Sequence, residues 1–177
     1  MSGVLKLQKR RIKALDLFFM IMTHLAGLGV YVALVPTAWW IHPSEDSIAL
    51  SNALILVIAT TTYIGNFLKN WFACPRPSGV WQPLKERDFG LPSTHTMNAV
   101  ANGLFFIFYF HTSWWVTILI TGYVVVVALS RMYMGVHSPA DVVAGVILGF
   151  VSVIIYYITP TFPREWYFIP VLFIFHM

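Results

Sequence analysis

The chain alternates long apolar runs with short polar stretches. Asp, Glu, Lys and Arg are absent from residues 17–44, 47–68, 89–130 and 142–163. Roughly 20 apolar residues cross a bilayer as a helix, so most of these gaps are at least one span long. The runs predict six segments, at residues 14–40, 48–69, 93–110, 114–131, 139–158 and 166–177. At 1.5 Å of rise per residue the first five each cover the ~30 Å hydrocarbon layer, and the last, at about 18 Å, is short of it. The runs are continuously apolar rather than alternating, which favours helices over a barrel. The fold class predicted is all-α: a polytopic transmembrane helix bundle of five full spans plus a short sixth segment.

Aromatic pairs mark the segment ends: Trp39-Trp40, Trp71-Phe72, Trp114-Trp115 and Trp166-Tyr167, as interfacial belts do. Gly145 and Gly149 are four apart, as are Ala99 and Gly103, a spacing that lets helices approach closely. No internal repeat or second domain is visible. The chain reads as a single domain over residues 1–177, with residues 1–13 as a basic cytoplasmic-type tail. The short last segment leaves open a chain truncated at its C-terminus. Because segments alternate direction, the N-terminus, the polar stretch at 70–92 and the turn at 131–138 should share one face. The opposite face should carry residues 42–46, the His111 turn and Arg164-Glu165.

Composition agrees. The chain is 58% hydrophobic and 10% charged, against about 25% charged in soluble domains. A soluble core of this length cannot hide so much apolar surface. The net charge of +4 is concentrated at Lys6, Lys9, Arg10, Arg11 and Lys13, ahead of the first apolar run. This suits an anchor for topology or anionic headgroups, and is a poor fit to nucleic-acid binding. The first run is too long for a signal-peptide core, and the single Cys74 excludes an intrachain disulfide.

Three polar clusters remain: KNWFACPRP from Lys69, LPSTHT from Leu91 and SRMYMGVHSPAD from Ser130. Together they supply three cations (Lys69, Arg76, Arg131), two imidazoles (His95, His137), Ser93 and Asp141. A charge at mid-bilayer costs at least ~2.5–3.5 kcal/mol. Three cations at helix ends, against a headgroup surface, point to a dianionic ligand. Arg binds phosphate oxygens in pairs and Lys adds a point charge. Helix N-termini at Ser93 and Ser138 add N–H donors of suitable polarity. Two histidines beside phosphate permit a displacement in which one attacks phosphorus and one protonates the leaving oxygen. His137 and Asp141, four apart at a helix start, can share a face, so the carboxylate can orient the nucleophile. His95 is then the acid.

These clusters resemble the signature of the type 2 phosphatidic acid phosphatase (PAP2) superfamily: K-x6-R-P, P-S-G-H and S-R-x5-H-x3-D. Lys69, Arg76 and Pro77 fit the first; Pro92, Ser93 and His95 the second; Ser130, Arg131, His137 and Asp141 the third. The resemblance implies a metal-independent, cofactor-free phosphohistidine mechanism. His137 is the nucleophile, Asp141 orients it, and His95 serves as acid and later activates water. Lys69, Arg76, Ser93 and Arg131, with the backbone of Thr94, hold phosphate. Thr94 replaces the usual Gly and cannot easily adopt a positive φ. The PSTH and GVHSPAD contexts look like the sphingoid-base-1-phosphate phosphatase branch. That implies a sphingosine-1-phosphate or long-chain-base phosphate substrate and an endoplasmic reticulum membrane. Polyprenyl or dolichyl diphosphate and phosphatidate are the alternative substrates.

Single residues also have structural readings. Ser138-Pro139-Ala140-Asp141 is a good helix start, with Asp141 as a cap residue. Arg131 at a helix C-terminus suits the dipole. Lys85, Glu86, Arg87 and Asp88 read as a solvated charge run, Asn98 and Asn102 as interhelical hydrogen-bonding groups, and His24, His42, His111 and His176 as packing or interfacial residues. An anion transporter or a catalytically inactive membrane protein is the competing class. Against a transporter, the cations lie at segment ends and no repeat pairs them. Excess Lys and Arg make the catalytic face cytosolic by the positive-inside rule, whereas the resemblance implies a luminal or outer face.

Overall fold

The computed structural model describes residues 2–9, 11–41 and 44–158. Among these there are helices and no strands. They are α1 (Ser2–Gln8), α2 (Lys13–Leu25), α3 (Leu28–Ile41), α4 (Glu45–Phe72), α5 (Thr94–Tyr109), α6 (Trp114–Tyr133) and α7 (Pro139–Ile158). Three helical stretches, Ser47–Phe72, Trp114–Tyr133 and Pro139–Ile158, are long and apolar enough to cross a membrane. Segments two to five of the sequence reading correspond to α4 to α7. The sixth segment at 166–177, Arg164-Glu165 before it, and His42 and His176 lie outside the described residues.

The first apolar run is not one long helix. It breaks at Ala26-Gly27 into α2 and α3. Gly27 lies in the break and Gly29 in the first turn of α3, and each glycine weakens a helix by about 1 kcal/mol relative to alanine. The two halves then find different partners: α2 packs on α6, and α3 packs on α4. Hydropathy alone cannot register this break, because both halves remain apolar.

The bundle is built around α5, whose residues from Thr96 to Gly103 are buried almost without interruption. α4, α6 and α7 pack against it. The predicted small-residue contact is realised on α7. A Cβ on Gly145 would fall 2.6 Å from the Ser93 carbonyl, and one on Gly149 would fall 2.6 Å from the Met97 carbonyl. The α7 backbone therefore rests directly on α5, with room for hydrogen only. On the α4 side, the Thr61 hydroxyl donates to Asn98 Oδ1, and Asn98 Nδ2 donates to Thr62 Oγ1 at 3.3 Å. Asn98 thus links helices as expected. Asn102 instead bonds within α5, donating to the Asn98 carbonyl at 2.9 Å.

The basic tail is more ordered than its charge suggests. Residues 2–8 are helical, and α1 packs on α6 with Val4 fully buried. The Gln8 amide donates to the Trp81 and Tyr133 carbonyls, both at 2.8 Å, and its oxygen accepts from Trp81 N–H at 3.1 Å. One side chain therefore joins the N-terminus, the 70–92 loop and the end of α6, and these three share a face as the alternation of segments requires. Arg11 is engaged as well: it pairs with Asp16 at 2.9 Å and stacks over the Trp81 ring at 3.5 Å.

Candidate active site

The three sequence clusters meet at one end of this bundle. Lys69 lies in the last turn of α4, which ends at Ala73 in a left-handed conformation. The chain then runs as a loop through Arg76, Glu86 and Asp88 to Ser93, the N-cap of α5. Arg131 lies in the last turn of α6. His137 sits in the turn between α6 and α7, and Asp141 in the first turn of α7. A backbone bond from Ser93 N–H to the Asp141 carbonyl at 3.0 Å ties the second cluster to the third. The α6–α7 turn depends on Gly135, whose φ is +70° and where a Cβ would lie 2.4 Å from the Trp81 carbonyl. Glycine meets both demands.

His137 is fully buried. Its Nε2 is 3.2 Å from Nη1 of Arg76. A guanidinium has donors only, so Nε2 is the acceptor and the ring proton resides on Nδ1. Nδ1 faces Asp141 Oδ2 at 3.6 Å, an ion-pair distance longer than a hydrogen bond. Burial pushes the His137 imidazole down to about 4; Asp141 pulls the other way, and Arg131, Arg76 and Lys69 add to the depression. The ring is therefore neutral at pH 7. Asp141 also caps α7: its Oδ2 accepts from Ser138 N–H at 2.7 Å, and its own N–H donates to Ser138 Oγ at 3.3 Å. The capping and the orienting readings of Asp141 thus describe one side chain.

The three cations form a buried floor. The side chains of Lys69, Arg76 and Arg131 are 5%, 11% and 1% exposed. Arg76 is fixed by bonds from Nη1 to the Val136 carbonyl at 2.7 Å and from Nε to the Asp88 carbonyl at 2.9 Å. Here the structure corrects the reading of residues 85–88 as a solvated charge run. Asp88 pairs with both Lys69 and Arg76. Glu86 pairs with Arg131 at 2.6 Å and lies 3.7 Å from Arg76. Partial burial raises both carboxyls, but the cations outweigh it: Arg131 holds Glu86 below its ordinary range, and Lys69 and Arg76 push Asp88 down to about 2. The available signal was charge balance. Three cations in a largely apolar protein call for counter-charges, and the loop joining the first two motifs supplies them.

Ser93, Thr94 and His95 open α5. Ser93 is fully buried, and its hydroxyl is 3.0 Å from Thr96 Oγ1. Thr94 is the first residue of the helix and has no positive φ, so the Gly-to-Thr departure carries no backbone strain here. A Cβ on Gly65 would lie 2.7 Å from the Thr94 methyl, which places Thr94 against α4. His95 is half-buried and within electrostatic reach of Arg131, Glu86, His137 and Lys69. All eight residues expected at the site therefore gather at this end of the bundle. No group of three or more His, Cys, Asp or Glu suited to a metal occurs among the described residues. Further along the same helices, an open apolar groove of about 360 Å³ runs between α5, α6 and α7, lined by residues such as Val100, Leu104, Val124 and Val146.

Fold and site together define a helical membrane protein with a buried, cation-lined imidazole cluster at one end of its bundle. The PAP2 superfamily profile matches residues 51–164, which contain all three clusters. The chain belongs to the PAP2 superfamily. It is 32% identical over 166 residues to a probable sphingosine-1-phosphate phosphatase of Dictyostelium discoideum, covering 85% of this chain and 40% of that protein. It is 30% identical over 150 residues to sphingosine-1-phosphate phosphatase 2 of Homo sapiens, covering 77% of this chain and 36% of the relative. The chain thus spans well under half the length of these curated relatives. Among solved structures, it is similar to the PAP2-type phosphatidylglycerolphosphate phosphatase of Bacillus subtilis. That similarity has a TM-score of 0.73 and 24% identity, over 92% of this chain and 85% of the other.

Proposed function

We propose that the protein is a membrane lipid phosphatase that hydrolyses a phosphomonoester, with a sphingoid or long-chain-base 1-phosphate as substrate, through a phosphohistidine intermediate. One observation carries this reading: the neutral, buried His137 presents Nε2 to Arg76 within a three-cation floor. An incoming phosphate draws Arg76 onto its own oxygens and releases the Nε2 lone pair. Nε2 then attacks phosphorus as the ester P–O bond breaks. His95, in its protonated form, donates a proton to the leaving alkoxide and becomes the neutral base of the next step, and Asp141 stabilises the charge gained by His137. Water, deprotonated by His95, cleaves the phosphohistidine and restores the neutral ring. Lys69, Arg76 and Arg131, with the Ser93 and Thr94 end of α5, hold the equatorial oxygens.

The open apolar groove along α5, α6 and α7 is compatible with a hydrocarbon chain lying beside the site. The sphingoid headgroup rests on the similarity to the two sphingosine-1-phosphate phosphatases. An endoplasmic reticulum location is proposed on the sequence resemblance alone. In the proposed topology α5 and the α2–α3 pair complete five membrane crossings. The protein, reconstituted in detergent micelles with EDTA, should release phosphate from sphingosine-1-phosphate, be blocked by vanadate, and lose at least about 10³-fold in kcat in His137→Ala. Activity that survives His137→Ala defeats the mechanism. Phosphate flux into liposomes without hydrolysis favours the transporter alternative.

A further inference from the structure

Glu86 and Asp88 stand on the solvent side of the cationic floor. Their side chains are 26% and 46% exposed, whereas the cations they touch are nearly buried. A phosphate that reaches these cations from solvent would pass them. Charge counting makes this placement informative. Lys69, Arg76 and Arg131 contribute three positive charges, and Glu86, Asp88 and Asp141 cancel them. A dianionic phosphoester entering this neutral cluster leaves it with two uncompensated negative charges, next to carboxylates that have lost their partners. A lipid that carries its own cation beside the phosphoester meets a different site: the carboxylates exchange a guanidinium for an ammonium and remain paired.

A second observation concerns a donor that the carboxylates leave unused. Arg131 Nε is buried and has no hydrogen-bond partner among the described residues, although Nη2 is engaged by Glu86. An unspent donor on a buried guanidinium is costly unless an acceptor completes it, and a phosphate oxygen is one. Arg131 therefore keeps one donor, Nε–H, available to a phosphate oxygen while Nη2 is bonded to Glu86.

We propose that Glu86 and Asp88 form an ammonium subsite, which selects lipids bearing a protonated amine beside the phosphoester over purely anionic lipid phosphates. The proposal rests on the phosphatase reading above and adds the determinant of headgroup choice. An amide-capped amine keeps the chain and phosphoester but lacks the charge, so it isolates the contact. Kinetics on the whole chain in micelles should compare sphingosine-1-phosphate with its N-acetyl derivative. Wild type should favour the free amine by about tenfold or more in kcat/KM, and the preference should shrink at least about fivefold in Asp88→Asn and in Glu86→Gln. In each variant the free amine should lose more than the N-acetyl lipid. Equal acceleration of both lipids would mean that the carboxylates only neutralise the empty floor, and the proposal falls. It falls equally if wild type shows no preference.

Two further arms keep the test decisive. Glu86→Gln removes a partner from a buried arginine and can fail to fold. The wild-type preference should therefore also be followed against pH, and should collapse as the lipid amine deprotonates at about 8–10; a preference that persists overturns the proposal. Equilibrium binding of the same two lipids to His137→Asn reads the contact without turnover. Charge-dependent binding in the absence of hydrolysis by wild type would count against the phosphatase reading alone. Equal binding of both lipids would count against the ammonium subsite.

Discussion

His137 is where the chemistry turns on a single proton. Burial depresses its imidazole to about 4, so the nucleophile stays neutral across the physiological range. The acid limb of kcat/KM, once the phosphate ester's own second ionisation near ~6 is divided out, should fall near pH 4 rather than at the ordinary histidine value of about 6.5. A pH–rate profile measures this, and a limb at the ordinary value contradicts a buried neutral ring. Stability moves with the same group. A histidine depressed in the fold contributes full stability above its unfolded value, loses it as pH falls, and has lost it at the folded value. Asp88, held at about 2 by Lys69 and Arg76, adds a second loss at lower pH, between the ordinary carboxylate range and about 2. At this scale the sequence was legible for residues whose spacing encodes chemistry: Lys69, Arg76, His95, Arg131, His137 and Asp141. It was not legible for Glu86 and Asp88. Neighbouring Lys85 and Arg87 make the local run look like ordinary solvated charge, and the partners of the two acids lie elsewhere in the chain.

At the scale of helices, the contact between α5 and α7 fixes the distance between the two histidines. His95 opens α5, His137 precedes α7, and the glycines of α7 hold the two helices at backbone contact. Gly149→Val forces a side chain into the Met97 carbonyl and should cost about 1–3 kcal/mol by overpacking. Gly122→Ala, where an added Cβ meets open space, should instead raise stability, by up to about 1 kcal/mol. Thermal unfolding in detergent compares the pair, and an unchanged Gly149→Val melt would mean that the helices are not in contact. Helix boundaries for α4 to α7 could be read from apolar run length, because caps and charges punctuate them. The break between α2 and α3 could not. It follows from where each half packs, and a uniformly apolar run does not encode that choice. The helicity of residues 2–8 was hidden for the opposite reason: Lys6 and Lys9 mask a turn whose buried residue, Val4, is a single valine.

For the whole molecule, the shared face of the N-terminus, the 70–92 loop and the α6–α7 turn followed from counting crossings. It reappears in the bonds made by Gln8. The chain's single cysteine, Cys74, lies in that loop and is partly exposed. Membrane-impermeant maleimide should label it from the same side of sealed vesicles on which a protease removes an N-terminal tag. Labelling from opposite sides would break the proposed topology. Lys6, Lys9, Lys13 and Lys85 favour the cytosol by the positive-inside rule, and the resemblance implies the lumen. Hydropathy settles the number of long apolar runs but carries no information about which compartment each end meets.

The Gln8 clamp has a practical consequence. It fastens the N-terminal helix to the two segments that frame His137, so whatever compartment holds α1 also holds the reaction. A ratiometric pH-sensitive fluorophore fused ahead of α1 would report, in a living cell, the acidity in which the phosphoester is broken.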